Sequence, residues 1–294
     1  MWRPAAWDKL KGDFFSMLAA EGRAVKTLAN YREAIDQFLG FFLATNPRRQ
    51  PKDVTVRDIE AFILHLRRRK LADNTVANRF RSLRRFFGWA CRRRYLRLNP
   101  IEGAGRPRER IEAVKPFTAE EVDRLLRATR AWPALALRDQ TIIAILYNTG
   151  LRVGELTKLR PADIRNHSMC VKGKGRKERW VALEATTEQL LMAYSVGRQG
   201  RTIFGLSVSG LQHRLTALGI RANVPDVHPH RFRDTFAECF LGNGGRVDDL
   251  QTILGHAKIE TTMRYVQYHR EQRAMEAQRK YAPFAVVVEE PPKE

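Results

Sequence analysis

His230-Arg231-Phe232-Arg233-Asp234-Thr235-Phe236-Ala237 is the most telling stretch of this chain. It follows Pro229, and proline suits the first turn of a helix, so His230 and Arg233 are expected to share one face of that turn. The N-terminus of a helix also attracts anions. A second register, His228-x-x-Arg231, is disfavoured because His228 precedes the proline and should lie outside the helix. The stretch therefore predicts a phosphate site at a helix start.

Further polar groups follow and precede this helix in a regular order. Downstream lie Leu254-Gly255-His256 and then Tyr265, and upstream lie Arg152, within Thr149-Gly150-Leu151-Arg152-Val153-Gly154-Glu155-Leu156, and Lys174, within Gly173-Lys174-Gly175. Together they offer a phosphate clamp, proton donors and a nucleophile, with no metal-binding carboxylate among them. This set predicts phosphoryl transfer through a tyrosine with no metal and no cofactor.

Each of these residues also has an ordinary structural explanation. Arg152 and Glu155 could form a local ion pair, which contributes only a few tenths of a kcal/mol. Lys174 could be a solvated turn lysine, His256 a helix cap and Tyr265 a core residue. The order and spacing of all six groups favour a shared site over these separate explanations.

The charge of the chain indicates the kind of partner. Lys and Arg number 53 against 32 Asp and Glu, a formal net charge of +21. Such a field favours polyanions, and a strongly basic domain is typical of a nucleic-acid binder. Arginine dominates locally in Arg67-Arg68-Arg69-Lys70 and Arg92-Arg93-Arg94; its planar guanidinium can bind phosphate through two hydrogen bonds.

Length and composition predict two domains. A chain of 294 residues fits about two, and residues 101–115 combine glycine, proline and charge without an apolar period, as an exposed linker does. We predict a helical DNA-binding domain over 1–100, a catalytic domain over 116–285 and a mobile tail over 286–294. The first domain should contain four helices. Any one arginine of the fourth helix could belong to a solvated face, but the clustering of Arg79, Arg81, Arg84 and Arg85 favours contact with DNA phosphates for the group.

The second domain should be mixed. Met169 to Val171 and Arg179 to Leu183 predict two short strands joined by a glycine-bearing hairpin. Apolar spacing predicts helices near 118–126, 139–147, 186–196, 207–218, 229–241, 246–254, 259–267 and 270–281. The fold class is therefore mainly α (α+β), with a small antiparallel sheet.

The remaining sequence signals concern location. Cys91, Cys170 and Cys239 lie far apart, without metal-ligand spacing or an even disulfide framework, which favours a reducing setting. No apolar run approaches the roughly 18 residues of a membrane helix, and residues 1–4 lack signal-peptide character. A cytoplasmic, nucleoid-associated protein without a membrane partner is expected.

Four segments resemble those of tyrosine recombinases, and most closely the compact Xer and phage-integrase type. They are 149–156, 173–179, 230–237 and 254–265, and the resemblance covers nearly the whole chain. It implies a helical, SAM-like core-binding domain at the N-terminus. One departure is Asp234, where many relatives have a histidine, and this places a secondary hydrogen bond in doubt.

The resemblance also implies roles and partners. Tyr265 would be the nucleophile, Arg152 and Arg233 would hold the scissile phosphate, and Lys174 would be the general acid. His230 and His256 would complete the clamp. The expected activity is site-specific DNA recombination through a 3′-phosphotyrosyl intermediate, without ATP or metal. The expected partners are double-stranded DNA at a partly palindromic site and a tetramer, formed with itself or with a second recombinase.

Two other functional classes compete with this interpretation. A type IB topoisomerase would use nearly the same residues to relax DNA as a monomer, but the helical N-terminal domain and the predicted helix after Tyr265 favour an assembling recombinase. A catalytically silent DNA-binding regulator would have no reason to keep all six groups.

Overall fold

A computed structural model describes residues 5–44, 47–108, 115–173, 178–196 and 201–282. The chain forms two compact units, Met1–Glu112 and Ala113–Glu294. Lys174 and the predicted tail, 286–294, lie outside the described residues. Within the described ranges, no helix combines the length and apolar character needed to cross a membrane.

The first unit contains the four predicted helices. They are α1 (Ala5–Ala20), α2 (Val25–Leu43), α3 (Val56–Arg68) and α4 (Asp73–Arg92). At the start of α3, Thr55 Oγ1 accepts from the backbone N–H of Asp58, while the Asp58 carboxylate accepts from that of Thr55. Aromatic side chains dominate the core: Trp7, Phe14, Phe38, Phe42, Phe62, Phe86 and Phe87.

Two of the basic side chains on α4 are tied within the unit. Arg79 is buried, donates to Gln37 Oε1 at 3.0 Å and forms an ion pair with Glu33, and Arg85 binds the Glu21 carboxylate at 2.7 Å. The sequence indicated basic groups on this helix but not their carboxylate partners. Ile101, the first residue of the predicted linker, packs into this core.

The second unit is mainly helical around a small sheet. Strands β1 (Ile164–Arg165), β2 (Ser168–Lys172) and β3 (Glu178–Ala182) are antiparallel in the order β1-β2-β3. The helices are α5 (Ala119–Ala128), α6 (Pro133–Thr149), α7 (Val153–Leu156), α8 (Ala185–Ser195), α9 (Val208–Ala222), α10 (Pro229–Gly242), α11 (Val247–Leu254) and α12 (Glu260–Tyr281). The predicted fold class, mainly α with a small antiparallel sheet, is confirmed.

Three details differ from the sequence-based expectations. Strand β1 has two residues, too few for a recognisable alternation. Helix α6 begins at Pro133 rather than near residue 139, because proline is well placed at a first helical position. The two helices predicted at 259–267 and 270–281 are one helix, α12, since no glycine or proline interrupts that segment.

Two glycines in the left-handed backbone conformation end the helices that precede Arg152 and His256. Gly150 (φ +60°) ends α6 and Gly255 (φ +63°) ends α11, a conformation that costs glycine little. A Cβ on Gly150 would also lie 2.7 Å from the Phe236 ring. The turns that place Arg152 and His256 therefore require glycine.

Candidate active site

The second unit contains a cleft of about 560 Å³. Five of the six residues predicted from the sequence line it; the sixth, Lys174, lies outside the described residues. The full lining is Leu151, Arg152, Val153, Gln212, His228, Pro229, His230, Arg233, His256, Thr261, Arg264 and Tyr265. Polar groups from four separate chain segments thus converge on one concave surface.

Arg233 is the most deeply buried cation of the cleft, with 2% of its surface exposed. Its Nη1 donates to Gly150 O and its Nη2 to Leu254 O, both at 2.7 Å. These carbonyls lie at the ends of α6 and α11, where helix carbonyls lack internal partners and carry partial negative charge. Burial and the adjacent Arg152 lower the pKa of Arg233 to about 10, so the guanidinium remains charged at neutral pH.

Arg152 binds carbonyls at the end of α11, as Arg233 does, but it remains accessible to solvent. Its Nη1 donates to Leu254 O at 3.1 Å and its Nη2 to Gly255 O at 3.3 Å, while 43% of its side chain is exposed. Two guanidinium groups, one buried and one exposed, are therefore fixed by the shared carbonyl of Leu254 and by one further carbonyl each. Such an arrangement can bind an anion without first having to be organised.

The buried Glu155 carboxylate binds both Arg152 and Arg179. It binds Arg179 through two hydrogen bonds, at 3.0 and 2.9 Å, and accepts from Arg152 Nη1 at 3.1 Å. Burial raises the pKa of Glu155, but the bonds from Arg179 and from the Arg152 backbone outweigh burial and leave the pKa below its usual value. Arg179 also donates to Ile253 O at 2.6 Å, which ties the sheet to α11.

Glu155→Ala is expected to destabilise the protein by about 3–5 kcal/mol, because it leaves the largely buried Arg179 without its carboxylate. Since the pKa of Glu155 is lowered in the folded state, its contribution is present at neutral pH and is lost as the pH falls through that lowered value. Urea unfolding at pH 7 measures the loss. Asp248→Ala, which removes an exposed partner of Arg246, is the control and should cost at most about 1 kcal/mol; equal losses would contradict the prediction.

His256 is a neutral hydrogen-bonding group. Burial and the nearby Arg233 and Arg152 lower its pKa to about 4. A neutral imidazole has one N–H, and its Nε2 lies 2.8 Å from Arg233 Nη2, which can only donate. The imidazole proton is therefore assigned to Nδ1, which donates to Thr262 Oγ1 at 2.8 Å.

Tyr265 has no exposed surface in this state. Its hydroxyl donates to Asp234 Oδ1 at 2.6 Å and accepts from Arg264 Nη2 at 2.7 Å. Burial and the bond to Asp234 raise the pKa of Tyr265 well above its usual value. Arg264 Nη2 also lies 3.3 Å from His230 Nε2, and burial lowers the pKa of His230.

The alternative register, His228 and Arg231, forms a different arrangement. His228 caps α10, accepting from the Arg231 backbone N–H at 3.1 Å. The Arg231 guanidinium binds Glu121 Oε2 at 2.6 Å, and its Nε donates to Lys115 O at 2.9 Å. Arg231 thus holds the segment before α5, whereas His230 and Arg233 face the cleft.

Family models cover most of the chain. Residues 115–272 match the model described as the phage integrase family, and residues 11–96 match that of the phage integrase N-terminal SAM-like domain. The chain belongs to the phage integrase family. It is a tyrosine site-specific recombinase, as the sequence resemblance indicated.

Individual members of the phage integrase family agree with this assignment. The chain is 31% identical over 275 residues to the tyrosine recombinase XerC of Herpetosiphon aurantiacus, covering 86% of this chain and 88% of that protein. It is 28% identical over 283 residues to XerC of Listeria welshimeri, covering 90% and 94%. The XerH site-specific recombinase bound to its palindromic difH substrate shares the fold, with a TM-score of 0.74 and 19% identity over 88% of this chain and 81% of that one.

Sequence reasoning missed several side chains that shape the recombinase cleft. Arg264 stood out only as the neighbour of Tyr265, and Arg179 only as part of a motif. Asp234 was noted as a departure from many relatives, which was a usable signal. Nothing in the sequence, however, indicated its contact with Tyr265, 31 positions later. Within the described ranges, no group of three or more His, Cys, Asp or Glu side chains could hold a metal ion.

Proposed function

We propose that this recombinase cleaves and rejoins DNA through a covalent 3′-phosphotyrosyl intermediate formed by Tyr265. The supporting observation is that one cleft brings Tyr265 together with Arg152, Arg233, His230 and His256. Each residue could have served a separate structural purpose elsewhere in the fold. Their shared placement favours a single phosphate-handling site.

Arg152 and Arg233 would hold the scissile phosphate. Attack on a phosphodiester places developing charge on the non-bridging oxygens, and preorganised donors stabilise that charge most effectively where water is excluded. Arg233 is buried and fixed by two carbonyls, so it needs no reorganisation at the moment of reaction. His256 and His230, which also line the cleft, would supply further contacts.

The reaction balances without a metal or ATP. The Tyr265 oxygen forms a bond to phosphorus as the phenol gives its proton to water, and the bond from phosphorus to the 5′-oxygen breaks. Lys174, which the family resemblance makes the general acid, would give its proton to that leaving oxygen. A phosphotyrosine diester replaces a DNA phosphodiester, so a 5′-hydroxyl from a second strand can reverse the step.

Double-stranded DNA is the proposed substrate, at a specific and partly palindromic site. The net charge of +21 supports a polyanionic partner, and the structurally similar XerH was solved with a palindromic difH substrate. The first unit would be the core-binding domain, since Arg67-Arg68-Arg69-Lys70 and Arg92-Arg93-Arg94 are exposed there. Binding should weaken steeply with salt, because each neutralised phosphate releases counterions.

Covalent capture tests the proposal directly. DNA selected by the protein from a random pool would be rebuilt with a nick near the cleavage point, so that the released fragment cannot religate. The expected product is a protein–DNA adduct on a denaturing gel, formed equally well with and without EDTA. Loss of the adduct on chelation would contradict the metal-free reaction.

Assembly into a tetramer is proposed from the end of α12. This helix continues to Tyr281, and both Met275 (55% exposed) and Tyr281 (73% exposed) project from it. An isolated helix of this length is only marginally stable in water, so exposed apolar residues at its end favour docking on a partner surface. In related recombinases the segment after the tyrosine docks on the neighbouring protomer, and the same contact is proposed here.

Ending the chain after Tyr268 is expected to preserve binding to one DNA site but to abolish cooperative synapsis and strand exchange. Gel shifts on one-site and two-site DNA measure the difference, and a chain ended after Val288, which keeps the apolar residues, is the control. Normal recombination by the shorter chain would show that the segment packs within its own protomer or is dispensable.

A further inference from the structure

One carboxylate oxygen behind two residues of the cleft lining receives two donors at once. Asp234 Oδ1 accepts from the Tyr265 hydroxyl at 2.6 Å and forms an ion pair with Arg264 Nη2. Arg264 Nη2 in turn lies 2.7 Å from the Tyr265 oxygen. The carboxylate, the guanidinium and the phenol therefore close a triangle, in which Asp234 is largely buried and Tyr265 fully so.

This triangle favours the protonated phenol. A hydrogen bond that a phenol donates to a carboxylate stabilises the O–H form, and burial disfavours the phenolate. Arg264 acts in the opposite direction, but its charge is shared with Asp234. The balance raises the pKa of Tyr265, which makes the hydroxyl a poor nucleophile.

Arg264 is the movable member of the triangle. Its side chain is 35% exposed and lines the cleft, and among the described residues its buried Nε has no hydrogen-bond partner. Arginine binds a phosphate well through two parallel N–H groups. A phosphodiester beside Arg152 and Arg233 can therefore compete with Asp234 for Arg264.

We propose that Asp234 is a positioning residue that, together with Arg264, locks Tyr265 in its resting pose until a DNA phosphate draws Arg264 away. The proposal rests on the function proposed above. In the locked state Asp234 anchors the phenol. When Arg264 turns to the phosphate, the phenol that is bonded to it can follow it away from Asp234 and towards phosphorus, where three guanidinium groups favour its ionised form.

Other charged or titratable side chains surround the Tyr265 hydroxyl, and a variant that tests Asp234 must leave them unchanged. They come from α10, from the turn before α7, from the turn before α12 and from α12 itself: His230, Arg233, Arg152, His256 and Arg264. Asp234→Asn leaves all of them in place. It keeps the shape and a hydrogen-bond acceptor but removes the charge.

The first measurement needs no DNA. Tyrosine labelled with ¹³C at Cζ reports each phenol pKa by NMR, and Tyr265 is assigned from the signal that Tyr265→Phe removes. Asp234→Asn is expected to lower the pKa of Tyr265, whereas Arg264→Gln should raise it further. Asp13→Asn is the matched control, because Asp13 Oδ2 accepts from the Tyr95 hydroxyl at the same 2.6 Å in the first unit; it should shift Tyr95 alone.

The second measurement uses the nicked substrate at a fixed pH. Asp234→Asn should form the covalent adduct faster than the native chain, by up to about tenfold for each unit by which the phenol pKa falls, and Asp13→Asn should not. An unchanged pKa of Tyr265 in Asp234→Asn would overturn the lock. So would a lowered pKa with slower adduct formation, since Asp234 would then be accepting the phenol proton. Absence of adduct from every chain, the native one included, would count against the proposed function, while the NMR result still decides the lock.

Discussion

Tyr265→Phe is expected to abolish covalent attachment to DNA while leaving DNA binding unchanged. The substitution removes only the phenolic oxygen that would bond to phosphorus, and the ring that fills the buried position remains. Since the rest of the cleft keeps its donors, the phosphate should still bind. Gel shifts on native gels measure binding, and the nicked substrate on denaturing gels measures attachment.

Tyr268 is the rival nucleophile, one helical turn later on α12. Tyr268→Phe is therefore the matched control and should form the adduct at a near-normal level. Tyr265 lines the cleft, and the spacing of nine residues from His256 favours it over Tyr268. If Tyr265→Phe still formed the adduct and Tyr268→Phe did not, the nucleophile would be Tyr268.

Local sequence signals predicted the elements that carry these residues. The Thr55–Asp58 and Thr118–Glu121 pairs form capping boxes at the starts of α3 and α5, and such a box can be read from a sequence because it depends only on residues three apart. Pro229 likewise starts α10. Glycine ends α6 and α11, so the turns before Arg152 and His256 were also readable from the chain.

Contacts between distant segments were not readable in the same way. A local pair between Glu155 and Arg152 was one alternative, and it forms at 3.1 Å. Glu155 also makes two shorter bonds to Arg179, 24 residues away on β3, and the sequence did not indicate these. The carbonyls of Gly150 and Leu254 that fix Arg233 are backbone groups, and no residue identity marks them. Such contacts depend on how α6, α10 and α11 pack, which a single sequence does not specify.

The choice between the pairs His228–Arg231 and His230–Arg233 was only partly readable from the sequence. Pro229 indicated that His228 stands outside the helix, and His228 is its N-cap. The sequence did not indicate why Arg231 is present. Its bonds to Glu121 and to the carbonyls before α5 give it a structural purpose, so two similar motifs two residues apart serve different ends.

Arg152→Ala and Arg233→Ala are each expected to slow cleavage by about a hundredfold to a thousandfold, with little change in the affinity for duplex DNA. Loss of one preorganised donor to a charged transition state typically has this size. Many other cations contribute to binding, and removing one cation that binds a phosphate should reduce the salt dependence by only about one counterion. Single-turnover cleavage and gel shifts at several salt concentrations separate the two effects.

Arg233 requires an additional variant, because its truncation also leaves buried carbonyls unsatisfied. Arg233→Lys keeps the charge but loses the planar pair of donors, so it should retain the fold, checked by urea unfolding, and still cleave slowly. Arg246→Ala removes the same charge from an exposed position outside the cleft lining and should cleave normally. If the cleft variants instead lost binding and cleavage in parallel, Arg152 and Arg233 would contribute general affinity for DNA, and the transition-state clamp would have to be assigned to other residues.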